Sequence, residues 1–180
     1  MTEPYDAIYL SPHLDDAALS CGGQIFQATA AGQNILILTI MAGDPPGPAQ
    51  SGYADILHER WQLGADVVAQ RRVEDIAACY ILGAAYQHWA APDCIYRVDA
   101  ANAPLYEDWA QITGSIHPAD EPLVRELAER LAQLPRHGRL VAPLTVGKHV
   151  DHQIVRQAAE MVYGDDLFYY EDYPYVQIPG

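Results

Sequence analysis

The chain has 180 residues, half of them apolar and 19% charged, with 13 Gly and 13 Pro; this composition fits one globular domain and excludes a disordered, coiled-coil or collagen-like chain. Ten Lys and Arg stand against 24 Asp and Glu, a net charge of −14, and that field repels nucleic acid and anionic membranes, which bind through cationic side chains. The apolar run Ile35 to Ala42, interrupted only by Thr39, is eight residues, well short of the roughly 18 that span a bilayer.

In chain order, Ala7 to Ser11 reads as a short buried strand. Asp16 to Ala31 follows with Ala, Leu, Ile and Phe at helical spacing, and Gly32 is its stop. Asn34 to Met41 is apolar on both faces, as an interior parallel strand is when helices cover its sheet on each side. Gly43 to Gly52, with three Pro, is a loop. Asp55 to Gly83 is helical in pattern, broken or bent near Gly64; its second part offers Val67, Val68, Val73, Ile76, Ala77, Tyr80 and Ile81 as one apolar face. Gln87 to Asp120 shows little periodicity and is rich in Pro, Asp and aromatic residues; a loop of that length in a compact domain is functional or an insertion. A helix opens at Ala119 or Asp120 and runs to Leu134, with Leu123, Leu127, Leu131 and Leu134 in register and Pro122 in its first turn. Arg139 to Pro143 is a strand, Val150 to Tyr163 a helix and Leu167 to Glu171 a last strand. The alternation predicts a single domain over residues 1–180, a three-layer α/β/α sandwich around a mostly parallel, Rossmann-like sheet. In such sheets ligands bind outside the carboxyl ends of the strands.

At the carboxyl end of the first strand, Ser11-Pro-His-Leu-Asp-Asp-Ala17 places His13, Asp15 and Asp16 within four positions. Imidazole with carboxylate suits zinc or another divalent first-row metal. The same aspartates also fit a helix cap, since Asp before a helix is common. After Val141-Ala-Pro-Leu144 comes Gly147-Lys-His-Val-Asp-His152, which opens a helix with His149 and His152 on one face. Two such turns at one sheet edge favour a metal site over a capping role. Cys21, Cys79 and Cys94 are odd in number and lack C-x-x-C spacing, so they read as reduced thiols. The opening Met1 to Asp6 has neither basic residues nor an apolar stretch, so no secretory signal is expected and the expected address is the cytoplasm.

Pro12-His-Leu-Asp-Asp-Ala-Ala-Leu-Ser-Cys-Gly-Gly23, with His149-Val-Asp-His152, resembles the motifs of the PIG-L (LmbE-like) de-N-acetylases, and Arg71-x-x-Glu74 ahead of Leu82-Gly83 is similar to a third pattern of that family. The resemblance spans about Ala7 to Val162. Leu14, Ala17 and Val150 stand where the family has Pro, Glu and Pro. The resemblance implies a zinc-dependent hydrolase that removes the acetyl group from an N-acetylglucosamine-type sugar conjugate, releasing acetate and a free amino sugar. It implies His13, Asp16 and His152 as metal ligands and Asp15 as general base. His149 would be protonated and stabilise the transition state, with Asp151 orienting it. Arg71 (or its neighbour Arg72), Asp93 and Ser20 become substrate-contact candidates. Trp89, Tyr96, Tyr106 and Trp109 either stack on a sugar face or cover the core, and Lys148 meets an anionic aglycone or only solvent. The partner expected is this small-molecule acetamido-sugar conjugate, with no nucleic acid and no membrane span; the oligomeric state is open. Two rival readings stand beside it: a metal-dependent amidase acting on another acyl amide or thiol conjugate, and a metal- and sugar-binding module without turnover. A dinucleotide-binding protein is disfavoured because the first turn has no G-x-G-x-x-G.

Overall fold

The computed structural model describes residues 4–47, 52–61 and 66–177. Strands β1 (Tyr5–Ser11), β2 (Ile35–Thr39), β3 (Ala85–His88), β4 (His137–Pro143) and β5 (Leu167–Tyr170) form one sheet in the order β3-β2-β1-β4-β5, and every pairing is parallel. The helices are α1 (Asp16–Ala30), α2 (Gly52–Trp61), α3 (Val67–Leu82), the single turn α4 (Trp109–Ile112), α5 (Glu121–Leu131) and α6 (Val150–Tyr163). Parallel neighbours need crossover connections, and helices supply them here.

The side-chain period of two divides the strands between two cores. Ala7 and Tyr9 of β1 and Ile35 and Ile37 of β2 pack on Ala17, Cys21 and Ile25 of α1 and Cys79 of α3. Ile8, Leu10, Leu36, Leu38 and Leu140 face the other way, onto Leu127 and Leu131 of α5 and Ile154 and Val155 of α6. Those layers are the expected three-layer sandwich. A third cluster, including Leu14, Ala54, Val68, Cys94, Tyr106 and Val150, lies beyond the carboxyl ends of the strands and beneath the cavity described below. Among the described residues no helix is long and apolar enough to cross a membrane.

Three expectations need correcting. Strand β3 falls where the sequence shows no strand pattern, because at the sheet edge its Ala-Tyr-Gln-His stays largely exposed. The helix expected from Asp55 begins at Gly52; residues 48–51 of the preceding loop and the expected break near Gly64 lie outside the described residues. The apolar face read for α3 is largely the wrong one: Val73, Tyr80 and Ile81 are 67%, 86% and 71% exposed, whereas Val67, Val68, Asp75 and Cys79 are buried. The helix is rotated to bring Asp75 under the first turn.

The segment 87–120 is built rather than loose. It contains a 3-10 turn at Cys94–Tyr96, a bridge between Val98 and Pro104, and α4. Its buried Arg97 and Tyr106 both meet the Asp120 carboxylate, at 2.9 and 2.8 Å.

Candidate active site

Two turns at the carboxyl ends of β1 and β4 meet because those strands are hydrogen-bonded neighbours. The sheet order reverses direction at β1, the position where open α/β sheets form their ligand crevice.

The β1 turn is closed by Ser11, whose Oγ donates to the His13 carbonyl at 2.7 Å and accepts the Ala17 N–H at 3.0 Å. The His13 N–H donates to Asp16 Oδ2 at 2.8 Å. Asp15 holds the N-cap position of α1 with φ of 94°, yet its side chain makes no capping bond. That left-handed backbone is costly for a residue with a Cβ. It leaves the Asp15 carboxylate exposed on the cavity floor. The turn is held from behind by buried Asp75, which accepts the Asp15 N–H at 3.0 Å and the Thr39 hydroxyl at 3.3 Å, with His88 Nε2 at 2.8 Å.

The β4 turn delivers three residues at the start of α6. His149 caps the helix: its Nδ1 accepts the Asp151 N–H at 3.3 Å, which leaves the proton of a neutral ring on Nε2. His152 is buried and places Nε2 3.1 Å from Asp16 Oδ2. His13 Nδ1 lies 3.2 Å from that same oxygen. The far nitrogen of each ring is tied to another carboxylate: His13 Nε2 to Asp151 Oδ2 at 2.9 Å, and His152 Nδ1 to Asp172 Oδ1. Asp151 is fully buried; it also accepts the Cys94 N–H at 2.9 Å and pairs with Arg97 at 2.5 Å.

This arrangement suits a divalent cation. Metal–ligand bonds of about 2.1 Å at a tetrahedral ion set donor–donor separations of about 3.4 Å. The His13–Asp16 and His152–Asp16 contacts are close to that. Metal-bound imidazoles are commonly oriented by a carboxylate on the other nitrogen, which both rings have. Ring nitrogens of His13, His149 and His152 also lie within 4.8 Å of one another. Other groupings run through Asp151, whose oxygens are already engaged.

The electrostatics match a site built for positive charge. Burial opposes charge on His13, yet Asp93, Asp151 and Asp16 hold its pKa well above the imidazole range. His152 is lifted against burial to about 9 by Asp16 and Asp172. Asp16, despite its own burial, is held well below the carboxylate range by His152 and His13. Desolvation by the surrounding cavity walls and the adjacent Asp16 charge push Asp15 up to about 6, against the pull of Arg71. Burial and the charge on His13 lower His149 to about 3.

A cavity of about 420 Å³ opens above these groups, within the size range of small-ligand clefts. Arg71 lines it, 3.7 Å from Asp15 and donating to the Leu14 carbonyl at 2.9 Å, whereas Arg72 turns away to Asp44 at 2.8 Å. Asp93 lines it too, 3.7 Å from His13 Nε2. Ser20 is absent from the lining; its Oγ accepts the Tyr173 N–H at 3.2 Å instead. Of the four candidate aromatics Trp109 lines the cavity, while Trp89, Tyr96 and Tyr106 are buried in the core. Lys148 is exposed. The Asp151 carboxylate faces His13 rather than His149, which it meets only through its backbone. Sequence reasoning passes over Asp75, Asp172 and Tyr175. The Arg71-x-x-Glu74 pattern points to Glu74, but Glu74 is exposed and Asp75 turns inward.

The family model described as "PIG-L: GlcNAc-PI de-N-acetylase" matches residues 8–163. The chain belongs to the PIG-L family. This PIG-L chain is 29% identical to the 2'-N-acetylparomamine deacetylase of Niallia circulans over 94% of its own length and 67% of the relative's. A solved deacetylase of teicoplanin biosynthesis, in complex with bog, is 33% identical with a TM-score of 0.83, covering 94% of this chain and 68% of that one. The zinc-inhibited form of teicoplanin deacetylase Orf2 is 30% identical with a TM-score of 0.80, with coverage of 94% and 68%. The chain thus spans about two thirds of these relatives' lengths. Deacetylases hydrolyse an amide, so the expectation of an amide-hydrolysing enzyme agrees with them.

Proposed function

We propose that this PIG-L protein removes the acetyl group from an acetamido-sugar conjugate of the N-acetylglucosamine type, with His13, Asp16 and His152 holding a divalent metal, zinc in the first place. The observation that carries the reading is one carboxylate oxygen of Asp16 set 3.2 and 3.1 Å from His13 and His152, beside an Asp15 carboxylate that faces the cavity without capping its helix. A metal bound there supplies polarisation of the amide carbonyl and a more acidic water.

The chain's own residues do the rest. Asp15 accepts the proton of the attacking water and passes it to the departing nitrogen. Its carboxylate makes no capping bond and lines the cavity, which leaves it free for both transfers. His149, with Nδ1 occupied by the Asp151 N–H, donates its Nε2–H to the acetamide oxygen as negative charge builds there. Asp151 and Asp172 orient His13 and His152. Arg71 and Asp93 line the space where the sugar hydroxyls would lie. Acetate and a free amino sugar leave.

The test is Asp15→Asn, which keeps side-chain size and removes the proton-accepting oxygen. General-base assistance is worth about 10² to 10⁴ in rate. We expect a loss of at least about a hundredfold in kcat, with metal content, measured on the same sample, unchanged. Near-normal acetate release with full metal would remove Asp15 from the chemistry. Metal and sugar binding by the native protein without acetate release would favour the binding-module reading.

A further inference from the structure

Above the floor that takes the acetamide, the cavity has an outer wall whose chemistry the deacetylation does not require. Trp109 stacks against Tyr175, with ring centroids 6.2 Å apart and planes 22° from parallel. Tyr53, Leu57 and Ile112 line the same cavity. Trp109 remains 49% exposed although its neighbour on α4, Ile112, is 1% exposed, so the indole is held at the surface by an anchored turn. Tyr175 is also placed deliberately. A Cβ at Gly147 would come within 2.3 Å of its ring, and the His152 ring meets it edge-on at 6.2 Å. The absence of a side chain at Gly147 is what lets the tyrosine lie there.

The charges that line the cavity fall into two groups. The acidic residues lining the cavity, among those described, are Asp15, Asp16 and Asp93, all beside His13 or Arg71 on the floor. The two arginines that line it are Arg71, which lies beside Asp15, and Arg60 from α2. In a chain of net charge −14, the outer wall is therefore aromatic and carries a cation.

We infer that this wall is the subsite for the part of the conjugate beyond the acetamido sugar, and that this aglycone presents an aromatic ring to Trp109 and Tyr175 and an anionic group, such as a carboxylate, to Arg60. The inference rests on the deacetylase reading and names its substrate class. On the cavity wall, half-exposed Trp109 and partly buried Tyr175 offer a stacking face with little rotamer entropy to lose. A cationic aglycone would be pressed against Arg60, while the acidic side chains that line the cavity, among the described residues, lie beside His13 or Arg71.

The experiment uses four glycosides of N-acetylglucosamine: methyl, phenyl, para-carboxyphenyl and para-(aminomethyl)phenyl. Binding to the metal-loaded protein is measured by calorimetry, and turnover by acetate release. The phenyl glycoside should bind about three- to tenfold tighter than the methyl one, the worth of an aromatic pair. The carboxyphenyl glycoside should bind about two- to fivefold tighter than the aminomethyl one, the worth of an exposed charge pair. Trp109→Ala should collapse the first preference and Trp109→Phe should keep most of it, which separates lost stacking from lost folding. Arg60→Gln should abolish the second preference. Equal binding of phenyl and methyl glycosides, or a phenyl preference that survives Trp109→Ala, would overturn the subsite. Acetate release with a flat binding order defeats the subsite and leaves the deacetylase reading intact. The expected binding order with no acetate from any glycoside defeats the deacetylase reading and supports the wall.

Discussion

Replacing Asp75 with Ala removes the acceptor that holds the Asp15 N–H at 3.0 Å and, with it, the partner of the Thr39 hydroxyl. Thr39 is fully buried and the Asp15 amide lies behind the turn, so both donors are left unmet at about 1–3 kcal/mol each. His88, whose side chain is 14% exposed, turns to solvent at smaller cost. The expected destabilisation is about 2–6 kcal/mol, a fall in Tm of roughly 4–24 °C for a domain of this size. The catalytic effect has a separate origin. A left-handed residue with a Cβ carries about 1–2 kcal/mol of backbone cost, and the Asp75 bond is what opposes relaxation of φ from 94°. Relaxation would carry the Asp15 carboxylate off its line to the substrate, and a misplacement of about 1 Å can cost about 10² in rate. We expect kcat to fall about 10- to 100-fold in Asp75→Ala. Asp75→Asn, which keeps an acceptor for the Asp15 N–H, should lose far less. The assay is acetate release by the metal-loaded variants, with thermal melts, in the native and Asp15→Asn backgrounds. If Asp75 works through Asp15, its loss should nearly vanish on top of Asp15→Asn. A folded Asp75→Ala within about twofold of native kcat, or losses that multiply in full, would refute the reasoning.

His152→Ala should abolish stoichiometric metal binding, while Asp172→Ala should weaken it by about 10- to 100-fold through the untethered His152 ring; equilibrium dialysis reads both. His149→Ala should keep its metal and lose rate, as metal content and acetate release on one sample would show. Arg97→Met leaves the buried carboxylates of Asp151 and Asp120 without their shared cation, so urea unfolding should register a loss of about 3–5 kcal/mol. Gly147→Ala drives a methyl into the Tyr175 ring and should weaken phenyl-glycoside binding in calorimetry more than methyl-glycoside binding.

The strand–helix alternation is legible because β1 and β2 bury side chains on both faces, a signal periodicity registers directly. Strand β3 has no such signal, since an edge strand with exposed side chains reads as loop. The face of α3 misreads for a different reason. Its inward positions include Asp75, chosen for hydrogen bonds to the first turn, and no apolar pattern records that choice. His13, Asp15, Asp16, His149 and His152 are legible because both of their turns fall at carboxyl ends of strands. Asp172 stands at the same edge, two residues past β5, and the same rule reaches it, though with no companion residue to mark it. Which ring Asp151 serves is fixed by side-chain packing around Arg97 and Cys94. Ser20 is drawn to the Tyr173 amide by the rotation of α1, and spacing alone does not fix that angle.

The adjacency of β1 and β4 also bears on how the chain folds. Ala7 pairs with Arg139, so the two clusters of donors come from opposite ends of the chain and are joined by the sheet's longest-range pairing. Closing so long a loop is entropically late and kinetically slow. On the proposed ligand set, a partly synthesised chain displays His13 and Asp16 without His152, two of three ligands, and would hold an ion only weakly. Tight capture by that set would wait for β4 to dock beside β1, so uptake of an ion would report completed assembly of the central sheet rather than mere collapse of its amino-terminal half.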